Sequence, residues 1–265
     1  MDSMRNLPIG IFDSGMGGLS VLREAVHLLP DESYIYFGDD RNAPYGTKDE
    51  QTIRELSLGC AEFLDRQGVK AMVVACNTAT SVVVQTMRER YQVPVVSMEP
   101  AVKPPADKYS GGTIAVFATP ATLRQPRYQA LVTRLGLETR VRNIACDGLA
   151  GLVEEEELGS EKIRSYVRER LSVLRAEADV CALVLGCTHY TFVSDVFAQE
   201  AAGTLRGALE IFDGVGGTVR RLRQVLAERD LLAPAASGGN ISLYTSGGED
   251  TMAHMLRLLT APFGA

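Results

Sequence analysis

Hydrophobic and polar positions along this chain switch between two periods. Short apolar runs rich in Val, Ile, Tyr and Phe occupy 8–12, 34–37, 70–75, 93–96, 113–117, 140–144, 182–185 and 210–212. They are too continuously apolar for strands with one wet face, and they predict strands buried on both faces of parallel sheets. Between them the period lengthens to that of a helix: Ile53, Leu56, Cys60, Phe63 and Leu64 recur within 49–67, and Ile163, Val167, Leu171 and Leu174 within 161–176. Strand and helix in alternation predict βαβ units and an α/β fold. Cys60 falls on an apolar helical stripe, where a thiol behaves as a small buried hydrophobe.

The pattern also repeats. Ala71-Met-Val-Val-Ala-Cys76-Asn77-Thr78 aligns with Ala182-Leu-Val-Leu-Gly-Cys187-Thr188-His189 at an offset of 111 residues. A looser echo sets Ile9-Gly-Ile-Phe-Asp13 over Ile114-Ala-Val-Phe-Ala118 at an offset of 105. Buried strands resemble one another by composition alone; the coincidence of two strand-end cysteines is what separates this repeat from chance. Open α/β sheets bind ligands beyond the carboxyl ends of their strands. The expected architecture is therefore two pseudosymmetric parallel-sheet α/β domains with the active site in the cleft between them. Pro and Gly near Glu99-Pro100, Pro104-Pro105 and 209–217 mark the crossings. The first domain is expected to comprise 1–98 and 210–265, the second 99–209. The segment around the short strand 241–244, flanked by Ser237-Gly238-Gly239 and Ser246-Gly247-Gly248, is expected to return to the first domain.

Composition narrows the function classes. The 265 residues are 46% apolar and 23% charged, with ample material for a core, which excludes disordered and fibrous classes. With 27 Lys+Arg against 33 Asp+Glu the net charge is −6, the wrong sign for a chain whose main ligand is nucleic acid. No apolar run reaches the ~18 residues of a membrane span, and the first residues lack a signal-peptide core, so a cytoplasmic protein is expected. The 5 cysteines form neither CxxC pairs nor an even set, which disfavours a disulfide framework or a zinc ribbon. Cys146 and Cys181 lack polar company, preceding a helix and a strand, and read as packing residues. His27 and His254 lie in helical patterns and read as surface or core-edge residues.

The chemistry gathers where strands end. A thiol between a strand and a helix N-terminus sits in the positive end of the helix dipole, which lowers its pKa and favours the thiolate. Cys76 and Cys187 both fit, and His189 stands two residues from Cys187 as a proton partner. Cys187 and His189 have no second ligand pair at metal-site spacing, so no metal is expected. The first βα turn, Asp13-Ser14-Gly15-Met16-Gly17-Gly18, is an incomplete dinucleotide fingerprint: position 20 is Ser, although Asp39 or Asp40 stands where a ribose ligand would. Asp13 would repel a pyrophosphate but suits an ammonium group or a proton transfer. Tyr45, Gly46, Thr119 and Thr122 add hydroxyls and amides that suit a small amino or hydroxy acid. Ser14, Thr78, Thr119 and Thr188 serve equally well as helix caps.

FDSGMGGL at 12–19, APYG at 43–46, ACNTAT at 75–80 and GCTHY at 186–190 together resemble, in order and spacing, the cofactor-independent glutamate racemases of bacterial cell-wall synthesis, within the aspartate/glutamate racemase superfamily. The resemblance spans most of the chain. It implies two-base racemisation without a cofactor, supplying D-glutamate for peptidoglycan, with a homodimer as the expected assembly. Cys76 and Cys187 would be the acid/bases, assisted by Asp13, His189 and Glu154. Ser14, Asn77, Thr78 and Thr188 would hold the amino and α-carboxylate groups, and Tyr45 and Gly46 the side-chain carboxylate. The chain departs from the family pattern at Thr191, at Ala118-Thr119 and in the stretch from Cys146 to Glu154. The residues themselves support the same chemistry, because a planar carbanion needs a base on each face. Pyridoxal phosphate would need a Schiff-base lysine, and of the 5 lysines only Lys48 lies near these strand ends. A racemase for aspartate or another amino acid, a dinucleotide-dependent oxidoreductase, and a silent ligand-binding protein remain as alternatives at this point.

Overall fold

A computed structural model describes residues 2–177, 179–206 and 209–260, with residues 2 and 3 described by backbone alone. The chain divides into two compact units, 1–98 with 215–265, and 99–214.

The first unit holds β1 (Ile9–Asp13), β2 (Tyr34–Gly38), β3 (Ala71–Val74), β4 (Val95–Ser97) and, from the end of the chain, β9 (Ile241–Thr245). They form one sheet in the order β4-β3-β1-β2-β9, parallel throughout. Phe12, Met72 and Val74 share a buried cluster with Ile53 and Leu64 of helix Glu50–Arg66 and Val83 and Met87 of helix Asn77–Arg90. Asp49 starts the first of these helices by accepting the Thr52 N–H at 2.8 Å. Helices Leu19–Leu28 and Val215–Glu228 pack on each other and bury Leu22, Val219, Leu222 and Leu226. Lys70, itself buried, pairs with buried Glu32 at 2.5 Å and donates to the Arg5 carbonyl.

The second unit holds β5 (Thr113–Ala118), β6 (Val141–Ala145), β7 (Val180–Leu185) and β8 (Glu210–Asp213), parallel in the order β6-β5-β7-β8. Its central strand shows why the apolar runs lack alternation. Ala115 and Phe117 enter one cluster with helices Leu149–Glu155, Glu161–Ser172 and Ser194–Thr204, whereas Ile114, Val116 and Ala118 enter another with Tyr128 and Val132 of helix Pro126–Arg134.

Each expected strand forms, within one or two residues. Two expectations are corrected. Glu210–Asp213 pairs with β7, so 210–214 belongs to the second unit, and the chain returns to the first at 215. Cys181 lies inside β7 instead of before it, with its thiol on the Thr113 carbonyl at 3.4 Å. The terminal strand does return to the first sheet, where β9 pairs with β2.

The two strand orders are the same motif used twice. From β1 the chain steps to β2 on one side and then to β3 on the other; from β5 it steps to β6 and then to β7 on the opposite side. This equates β1 with β5 and β3 with β7, as the internal repeat requires. It also makes the carboxyl ends of β1 and β3, and of β5 and β7, topological switch points, where adjacent connections leave in opposite directions and open a crevice.

Candidate active site

In the first unit the switch point carries Asp13 and Ser14 from β1 and Cys76 from β3. Asp13 is fully buried and accepts the Gly15 N–H at 3.2 Å. Room for it depends on Gly18, where a Cβ would come within 2.6 Å of the Asp13 Cβ. Cys76 is the residue before helix Asn77–Arg90, and its Sγ accepts the Ala79 N–H at 3.4 Å. The sulfur thus replaces the oxygen of an ordinary cap, so the helix end stabilises the thiolate directly. The Cys76 thiol also lies 3.4 Å from the Ser14 hydroxyl. Beside it, Asn77 is buried with neither its amide oxygen nor its amide nitrogen bonded to any described residue. Both atoms together are expensive to bury unmatched, and they are ready for a ligand that accepts one hydrogen bond and donates another.

In the second unit the switch point carries Thr119 after β5 and Cys187 after β7. Here the activation differs from the expectation: Cys187 precedes a 3-10 turn, Thr188–Val193, and its side chain caps nothing. Its company is His189, whose Nδ1 lies 3.8 Å from the sulfur and 3.4 Å from the Thr188 hydroxyl. The other ring nitrogen meets Glu154 at 2.7 Å, with the histidine side chain 3% and the glutamate 17% exposed. Burial disfavours charge on His189, but Glu154 and a Cys187 thiolate outweigh it and hold the imidazole pKa well above its ordinary value. The ring therefore stands beside the Cys187 sulfur where a proton partner would be needed.

The capping interpretation holds for one of four hydroxyls. Thr119 accepts the Thr122 N–H at 3.2 Å and caps helix Pro120–Arg124. Thr78 is inside its helix, Thr188 is inside its 3-10 turn, and Ser14 lies in the loop before Leu19–Leu28. All four are buried.

The Tyr45–Thr47 turn is the remaining expected contact. Tyr45 is 1% exposed, and its hydroxyl donates to Asp39 at 2.7 Å. Burial first, then Cys60 and Asp39 beside it, push the phenol pKa upward, so it stays a neutral donor. Gly46 is half-buried, and the leading N–H groups of such a turn have no partner within it. Asp39 also answers the dinucleotide reading: a ribose-binding carboxylate must be free, and this one is engaged by Tyr45, Asn42 and Ser246. Ser20, in place of a third glycine, is buried with its hydroxyl on the Gly17 carbonyl. The remaining cysteines fit the packing interpretation, since burial pushes the Cys60 and Cys146 thiols up, away from thiolate chemistry. His27 is exposed on its helix.

The Asp/Glu/hydantoin racemase family model matches residues 9–222. The chain is 42% identical over 246 residues to a glutamate racemase of Clostridium perfringens, covering 92% of this chain and 93% of that one. A solved glutamate racemase isoform from Bacillus anthracis superposes with a TM-score of 0.87 at 28% identity, covering 98% and 96% of the two chains. The glutamate racemase of Francisella tularensis, solved in complex with D-glutamate, superposes at 0.84 with 27% identity over 98% and 96%. Family model, sequence relative and solved structures agree: the chain belongs to the Asp/Glu/hydantoin racemase family.

Proposed function

We propose that the protein interconverts L- and D-glutamate by a two-thiol mechanism without a cofactor, and so supplies D-glutamate for peptidoglycan. The observation that carries the mechanism is the recurrence of a buried cysteine at the same switch-point position of two like sheets, one beside a helix-start amide and the other beside a histidine. The relatives named as glutamate racemases, one of them bound to D-glutamate, support the substrate.

One thiolate takes the Cα proton, the C–H electron pair moves into the α-carboxylate as a planar carbanion, and the second thiol delivers its proton to the opposite face. The enzyme then holds the first sulfur protonated and the second ionised, ready for the opposite enantiomer. Asn77, Ser14, Thr78 and Thr188 hold the amino and α-carboxylate groups, and the turn at Tyr45 and Gly46 holds the side-chain carboxylate. Asp13 assists at Cys76, and the His189–Glu154 pair assists at Cys187. Thr119 supports the second switch point as a cap. A cytoplasmic homodimer completes the proposal; among the described residues no helix is long and apolar enough to cross a membrane.

The test is incubation with L-glutamate, and separately L-aspartate, in deuterated water without added cofactor. Cα deuteration by NMR and decay of circular dichroism are expected with glutamate. Activity confined to aspartate refutes the substrate, and no exchange with either refutes the mechanism.

A further inference from the structure

Asp39 follows β2 directly, is 4% exposed, and is the hub of a small network in the first unit. Its Oδ2 accepts the Tyr45 hydroxyl at 2.7 Å, and its Oδ1 accepts the Ser246 hydroxyl at 2.7 Å. The Asn42 amide spans both oxygens at 3.0 and 3.1 Å. Its backbone N–H donates to the Asp13 carbonyl at 3.1 Å. Around it, the Ser246 hydroxyl accepts the Arg41 N–H at 3.0 Å, the Ser246 N–H reaches the Gly38 carbonyl at 3.0 Å, and Thr245 donates to Asp40 at 2.6 Å.

These side-chain donors are neutral, and no ion pair among the described residues includes Asp39. Burying a carboxylate on neutral donors alone is costly, and an apolar side chain would avoid that cost. What an apolar side chain would not do is fix directions. One residue ties together the end of β1, which carries Asp13, the end of β9, and the turn that begins at Tyr45. The Tyr45 ring is packed against Ile53 and Cys60 in the core cluster, so its hydroxyl bond to Asp39 sets where Gly46 and the amides after it stand.

We infer that Asp39 is a positioning residue for substrate recognition, holding the Tyr45-Gly46 turn in register with Asp13 so that the turn receives the side-chain carboxylate. Asp39 acts through Tyr45 and does not touch the substrate. The inference rests on the proposed role of that turn.

The test is a set of steady-state measurements with glutamate. Asp39→Asn, which turns an acceptor toward the donors of Asn42 and Tyr45 into a mixed group, is expected to raise KM about tenfold with kcat within about twofold. Tyr45→Phe cuts the same bond and should do the same. The double variant should also stay near tenfold, because both changes remove one link. A purely structural Asp39 would lower the melting temperature and the active fraction while KM stayed constant, and that result overturns the inference, as does a hundredfold KM in the double variant. Gly46→Val separates the two readings. If Gly46→Val raises KM while Asp39→Asn does not, the positioning role alone falls; if neither moves KM, the turn is not the carboxylate seat and both fall. Should Asp39→Asn fail to fold, Ser246→Ala removes one bond from the same carboxylate. It is expected to raise KM about threefold, and an unchanged KM overturns the inference.

Discussion

Replacing Glu154 by Gln removes the charge beside His189 while keeping the shape and one hydrogen bond. The wild-type pair is close, 2.7 Å, and nearly dry on the histidine side, with 3% exposure. Breaking a buried pair by deleting one partner costs about 3–5 kcal/mol. Here the glutamate keeps 17% exposure and Gln still bonds the ring, so about 2 kcal/mol is the expected loss. At roughly 2–4 °C per kcal/mol for a chain of this size, the melting temperature should fall by about 4–8 °C. The pH dependence gives the sharper signature. The folded His189 pKa lies above its unfolded value, so the folded protein binds the extra proton and the pair stabilises fully below the unfolded pKa of about 6.5. The stabilisation is lost as pH rises through the folded pKa. Without Glu154 the imidazole loses its carboxylate partner, and burial pulls its pKa back down. The difference in melting temperature between wild type and Glu154→Gln, followed by circular dichroism, should therefore be largest near pH 6 and shrink at alkaline pH. A difference that stays constant from pH 6 to the alkaline end would refute the charged pair.

Cys76→Ser and Cys187→Ser should each lower racemisation by several orders of magnitude. Because enantiomers are equal in free energy, kcat/KM must fall equally in both directions for each variant; full activity in either would refute the two-thiol mechanism. Gly18→Ala sets a methyl 2.6 Å from the Asp13 Cβ and 3.0 Å from those of Ala75 and the Tyr36 hydroxyl, contacts that only a backbone shift relieves. It should cost about 1–3 kcal/mol and depress kcat, and an unchanged melting temperature and rate would show that Asp13 tolerates displacement.

The strands and the two cysteines were legible because their signals are local: an apolar run, a turn, a thiol at the same place in two repeats. The strand order then placed Asp13 with Cys76 at one switch point and Thr119 with Cys187 at the other, as the rule for parallel sheets requires. What escaped was long-range side-chain pairing. Asp39 was visible only as a ribose ligand, because its partner Ser246 lies 207 residues away and nothing in the intervening sequence announces the bond. The different handling of the two thiols was equally hidden, since Cys76 and Cys187 are each followed by polar residues and a helical stretch. Only the backbone distinguishes an α-helix that offers Sγ an amide from a 3-10 turn that offers it a histidine. Residues 210–214 were misassigned because a short apolar strand does not state which sheet it will join.

The parallel pairing of β9 with β2 has a consequence for how the chain is made. Tyr34 pairs with Ile241, so when β2 is made its partner still lies 207 residues ahead of synthesis. At about 5–20 residues per second, that edge, the sequence Tyr-Ile-Tyr-Phe-Gly, stays open for roughly 10–40 s. During that interval the whole second unit is translated as one continuous segment, free to fold first, while the nascent first unit exposes an apolar strand edge of the kind that recruits foreign strands. The same delay holds back the Ser246 bond to Asp39 until residue 246 has been made. An edge that waits this long leaves the newborn first unit dependent on chaperones, or on speed of synthesis, to keep it unoccupied until β9 arrives.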